Sequence, residues 1–221
     1  MLAFLTILLM LIVAYAQFRE GIFTALTVLI NIVIAGVIAF NFWEPVADFL
    51  DPKLHGSFVG GWEDFFVLFI LFSAALITLR IVTNNLAPTQ IEFAATPNQF
   101  GGAFVGLCSG YLLAGFLTCM MQTLPWHEEF MGFAPRSSNE GPSRAFLPPD
   151  RVCLTMLRHL GAYPLASAEI DPGAKSPYDR YRTFDRGATF EQRYQRYRRY
   201  NNQRNAMPYQ GELDGSLDRG S

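Results

Sequence analysis

GGAFVGLCSGYLLAGFLTCMMQTL, residues 101–124, decides how this chain folds. The stretch holds no charge, and at about 1.5 Å per residue a helix over it exceeds the roughly 30 Å of a bilayer's hydrocarbon core. Within it Gly102, Gly106, Gly110, Ala114 and Thr118 recur at every fourth position, which puts five small residues along one helical face. Lipid tails are as apolar as leucine, so membrane helices associate by close backbone approach and interhelical hydrogen bonds. The stripe predicts a spanning helix that packs through its small face, against the chain's own bundle or against a second copy.

Three more windows of this kind lie upstream, at about 1–17, 21–42 and 65–84. Only Arg80 puts a charge inside any of them, near the end of the third, where its long stem lets the guanidinium snorkel to the interface. The second window repeats the small-residue pattern with Thr27, Asn31, Ala35 and Ala39. Asn31 falls near mid-span, where an unpaired amide is costly, so it is expected to bond across to a neighbouring helix. Phe18-Arg19-Glu20-Gly21 reads as a tight turn making an antiparallel hairpin of the first two spans. Residues 43–63, with Pro45, Pro52 and the Gly60-Gly61 pair, read as a longer loop bracketed by the interfacial indoles of Trp43 and Trp62. Residues 85–100, with Pro88 and Pro97, read as the third connection, and Trp126 as an anchor after the fourth span. Ala14-Tyr15-Ala16 has the look of a signal-peptidase site. No Lys or Arg precedes that apolar run, and a retained helix is the reading adopted.

The whole-chain figures hide this division. The 221 residues are 51% hydrophobic and 16% charged, with a formal net charge of -2 and a mean hydropathy of +0.19. Soluble domains carry about 25% charged residues. The first 124 residues hold three basic side chains (Arg19, Lys53, Arg80) against seven acidic ones (Glu20, Glu44, Asp48, Asp51, Glu63, Asp64, Glu92), and all other charges follow. An ordinary globular enzyme, a collagen-like chain and a disulfide scaffold are excluded, the last because there are only three cysteines.

Beyond the spans, residues 125–165 form a juxtamembrane segment. Its short amphipathic helix, about 150–160, is capped by Asp150, stopped by Gly161, and carries Val152, Met156, Leu157 and Leu160 on one face. That helix can lie on the membrane or against the bundle. Residues 166–221 have few aliphatics and are expected to form a largely disordered, solvated tail. There Tyr181, Tyr194, Tyr197 and Tyr200 interleave with Arg180, Arg182, Arg193, Arg196, Arg198, Arg199 and Arg204, a composition that can meet anionic headgroups or stack on single-stranded nucleic acid. Arg19 and Arg80 border the first and third loops, which leans towards those loops inside and both ends outside, making nucleic acid an unlikely partner.

Catalytic chemistry finds no foothold. Cys108 and Cys119 share a helical face but stand about 16 Å apart along its axis. His127-Glu128-Glu129 lacks the spacing that sets two imidazoles on one helical turn, and His55 and His159 stand alone. No cofactor or metal is expected. The partners expected are the lipid bilayer and either a second copy or another membrane protein. A small oligomeric channel lined by Asn31, Ser73, Thr78 and Ser109 is the alternative, although pumps and proton carriers usually show intramembrane carboxylates or histidines.

Two segments carry a resemblance. Phe18-Arg19-Glu20-Gly21-Ile22, leading into the second span, and Asn98-Gln99-Phe100-Gly101-Gly102-Ala103-Phe104-Val105-Gly106, opening the fourth, resemble the colicin V production protein family. Four short spans, a tight first turn and a glycine-rich last span over about 125 residues fit the same family. Glu20 stands where the family's turn often carries a second Arg. The resemblance implies an all-α, multi-pass protein of the bacterial inner membrane, tied to toxin production or export, with no defined active site. Arg19 and Gly21 are the turn residues it singles out.

Overall fold

A computed structural model describes residues 2–54, 62–86, 95–124, 149–162 and 171–176, with residues 180 and 190. His55, the Gly60-Gly61 pair, Pro88, Trp126, the His127–Glu129 cluster and nearly all of the Arg/Tyr run lie outside the described residues. Five helices follow one another: α1 (Leu2–Glu20), α2 (Ile22–Leu54), α3 (Glu63–Leu86), α4 (Ala95–Gln122) and α5 (Pro149–Ala162). There is no strand among the described residues. Four helices are long and apolar enough to cross a membrane, over Ala3–Glu20, Ile22–Ala47, Glu63–Leu86 and Thr96–Gln122. Apolar residues surround them rather than forming one stripe, and Phe4, Ile70, Ile81 and Phe104 all point outward. That pattern suits helices solvated by hydrocarbon.

Two ends differ from the sequence expectation, and proline is the reason in both cases. α2 continues past Phe42 through Pro45 and Pro52 to Leu54. Pro45 removes one backbone donor, the one Asn41 O would receive, but the buried face Ala35–Ala39–Trp43–Ala47 carries straight across it. Trp43 is accordingly a core residue, only 2% exposed, and not a loop-bracketing interfacial indole. α4 begins at Ala95, so Pro97 sits in its first turn, where no intrahelical N–H is missed.

The spatial order also departs from the chain order. α1 packs along α4 and touches α2 only around their junction, so the first two spans do not form a packed hairpin. α4 lies between α1 and α2, α3 packs on the other side of α2, and α5 docks chiefly on α4. Where α2, α3 and α4 meet, the Phe116 ring stands 6.0 Å from Phe40 and 5.0 Å from Phe72, centroid to centroid. Phe116 also covers Gly36 so closely that any β-carbon there would collide with its ring. The ends agree with an even span count: the α1–α2 turn, the end of α3 and the start of α4 share one end of the bundle. There Arg80 Nη2 lies 4.0 Å from Glu20 Oε1, with side chains 56% and 44% exposed. Arg80 thus reaches an exposed carboxylate at the bundle's end, a pair worth little in stability.

α5 takes the second of its two predicted placements, against the bundle. Cys153, Leu157, Gly161 and Ala162 are buried. Two details are corrected. Gly161 lies inside the helix, which runs on to Ala162. Asp150 does not stand at the cap position: the helix begins one residue earlier, at Pro149, and the Asp150 side chain is fully buried in its first turn.

Candidate functional site

The small residues of α4 are the seat of α1. At Gly102 a β-carbon would stand 2.5 Å from Gln17 O and 2.9 Å from Gly21 C. At Gly106 it would stand 2.8 Å from Ala14 Cα, and at Gly110 2.7 Å from Met10 Cα. These neighbours are backbone atoms, which no rotamer change can move aside, so the three glycines set how closely the helices approach. Ala114 and Thr118 continue the buried face, with the Thr118 hydroxyl donating to Ala114 O at 2.7 Å. The groove is filled within the chain.

At its open end this seam meets the α1–α2 turn. Gly21 has φ +94°, a left-handed conformation that favours glycine and ends α1, and its N–H donates to Gln17 O at 2.9 Å. The next donor, Ile22 N–H, begins α2 and would be orphaned. Asn98 Oδ1 on α4 accepts it at 2.9 Å. A β-carbon on Gly21 would stand 2.6 Å from Asn98 Nδ2. The two segments that carried the family resemblance are therefore one contact, in which the start of α4 caps the start of α2 and holds the turn. Arg19 is exposed in the last turn of α1, where a cation complements the carbonyl end.

The second small-residue set does different work. Ala35 and Ala39 are fully buried in the α2 face, and Thr27 is half-buried with its hydroxyl bonded to Phe23 O. Asn31, 3% exposed, donates through Nδ2 to Thr83 Oγ1 on α3 at 3.1 Å, an interhelical partner of the kind a buried amide needs. The residues weighed as channel lining are not brought to one face. Thr78 is exposed and Ser73 half-buried on α3, while Ser109 is fully buried on α4 and bonds its own helix at Val105 O.

Several residues of this architecture escaped the sequence reading. Gly115 falls one position out of register with the stripe and faces α5, where a β-carbon would collide with Pro149 O. Gln122 Nε2 donates to Asp150 Oδ2 at 2.8 Å, and Cys119 Sγ lies 3.6 Å from Asp150 O, so the last turn of α4 holds the first turn of α5. Gln17 and Gly36 carry no signal in the stripe either, and Asn98 enters the sequence reading only as part of the family resemblance. A polar residue bordering an apolar span, as Gln17, Asn98 and Gln122 all do, is the signal that marks such helix-end contacts. Phe190, in the segment expected to stay solvated, is 4% exposed against α2. No group of three or more His, Cys, Asp or Glu able to hold a metal occurs among the described residues.

Comparison with known proteins adds a family. The model described as Colicin V production protein matches residues 2–137, more than half of the chain and all four apolar helices. No curated protein and no solved structure matches.

Proposed function

This chain belongs to the colicin V production protein family, and from that premise we propose a non-enzymatic accessory to toxin production or export, acting in the bacterial inner membrane through helix packing and assembly. The observation that carries the reading is the α1–α4 seam, where Gly102, Gly106 and Gly110 meet backbone atoms of α1. Contact of that closeness leaves no lumen along the seam, and α4 is the shared packing partner of α1, α2 and α5. Because the seam is occupied within the chain, assembly in this reading uses the outer apolar faces of α1 and α3, where Leu11, Phe69 and Ile77 are exposed.

The test is a double variant, Gly106→Leu with Gly110→Leu. It is expected to lower thermal stability in detergent, change migration on native gels, and fail to restore toxin secretion to a cell lacking the protein. Unchanged secretion with the seam disrupted would overturn the proposal. Solute flux through vesicles holding the purified protein would instead favour the channel.

A further inference from the structure

Arg80 lies inside the third span, about 9 Å short of the end of α3 at Leu86. An ionisable side chain at such a depth marks a candidate functional site, defined by its partner. The partner is Glu20, the last residue of α1: Arg80 Nη2 stands 4.0 Å from Glu20 Oε1, and both side chains are about half exposed. Apart from that meeting α1 and α3 do not pack on one another, since α1 lies along α4 and α3 along α2. Because α2 and α4 pack together and Glu20 reaches Arg80, α1 and α3 stand on the same side of that pair. They therefore bound a cleft, closed at one end by the ion pair. Val13 and Leu9 share the Glu20 face of α1, and Ser73 shares the Arg80 face of α3. All three are half-buried, as cleft walls would be.

We propose that this cleft seats one phospholipid with a phosphoethanolamine headgroup, its phosphate on Arg80, its ammonium on Glu20 and an acyl chain between α1 and α3. Charge complementarity selects this occupant. Basic pockets between spanning helices hold phospholipid headgroups. Here the cation has a carboxylate beside it, so a headgroup carrying phosphate alone would set its charge against Glu20. A choline headgroup has no N–H to give that carboxylate. Phosphoethanolamine offers an anion to the guanidinium and three N–H donors to the carboxylate. The order of the charges fits as well: the phosphate of such a lipid lies nearer its acyl chains than the ammonium does, and Arg80 belongs to the interior of its span while Glu20 ends α1. An exposed ion pair at this separation holds weakly, so a headgroup that gives each partner a closer one opens it readily. The site rests on the fold and not on a role in export.

Native mass spectrometry of the full-length protein tests this, with the protein taken from vesicles of mixed phosphatidylethanolamine, phosphatidylcholine and phosphatidylglycerol. The parent is expected to retain one phosphatidylethanolamine per chain, in preference to phosphatidylcholine by roughly tenfold. Glu20→Gln is expected to remove that preference, and Arg80→Gln to lower retention of all three lipids. Both side chains are exposed, so each variant is expected to keep the parent's unfolding temperature within a few degrees. Arg19→Gln, an equal loss of charge on a different face of α1, is expected to change nothing. The exchange of Glu20→Arg with Arg80→Glu restores an ion pair in the reverse order and is expected to lose the preference. Soluble glycerophosphoethanolamine, which has no acyl chain to seat, is expected not to displace the lipid. Equal retention of the ethanolamine and choline lipids by the parent would overturn the proposal. A preference that survives the exchange, or that falls as far with Arg19→Gln as with Arg80→Gln, would also overturn it, as would displacement by the soluble headgroup.

Discussion

Gly21 carries two constraints at once. Its φ of +94° disfavours any L side chain by about 1–2 kcal/mol. The Asn98 amide also fills the space a β-carbon needs. Gly21→Ala is expected to destabilise the bundle by more than Asn98→Ala, which removes only the acceptor of Ile22 N–H and costs about 1 kcal/mol. Unfolding by denaturant in a fixed detergent would rank them, and a neutral Asn98→Ala would remove the cap from the account. A second comparison isolates the nature of the neighbour. At Gly110 a β-carbon would meet Met10 Cα at 2.7 Å, while at Gly101 it would meet Ile22 Cδ1 at the same 2.7 Å. A backbone atom cannot swing away and the tip of an isoleucine can. Gly110→Ala is thus expected to show an overpacking cost of about 1–3 kcal/mol, and Gly101→Ala much less. Equal effects would mean that the seam is soft.

Among the elements, the centre of each span was legible from composition alone, because a run of some twenty uncharged apolar residues has one stable solution in lipid. The ends were not. Pro45 and Pro97 read locally as loop residues, yet Pro97 occupies a first turn and Pro45 is carried by the buried face that Trp43 and Ala47 continue. The stripe on α4 was legible as a packing face, but its occupant was not, since spacing says how close a neighbour comes and not which neighbour it is. Asn31 illustrates what sequence can specify: a buried amide demands a partner, and Thr83 on α3 supplies it. A double-mutant cycle on Asn31→Leu and Thr83→Val is expected to return a coupling of about 0.6 kcal/mol, the average for such bonds in membrane helices. Zero coupling would show that the pair is not formed in the folded bundle. The Gln122–Asp150 bond and the Gly115–Pro149 approach argue similarly for α5. Gly115→Leu is expected to lift α5 from α4 and expose Cys153, now fully buried, to maleimide labelling at rates approaching those of exposed Cys108.

For the molecule as a whole, the order α1–α4–α2–α3 has a consequence that chain order would not suggest. The first helix is tied to α2 by a single glycine turn, but its packing surface belongs to the last span, so the helix made first is seated only after the fourth has been made. Until α1 is seated on it, α4 presents Gly102, Gly106 and Gly110 as an open groove, with a shape suited to any helix of small or slender residues. Removal of residues 2–16 should recreate that state permanently, since Met10 and Ala14 fill two of the three glycine contacts. The shortened protein is expected to form higher oligomers in detergent through the vacated groove, and co-expression of a peptide of residues 1–20 to return it to the parent's size. The same peptide should have no effect on a chain that also carries Gly106→Leu, because the leucine occupies the groove the peptide needs. Size-exclusion with light scattering would read all three states. A shortened chain with the parent's oligomeric size, indifferent to the peptide, would show that α1 is dispensable to the bundle.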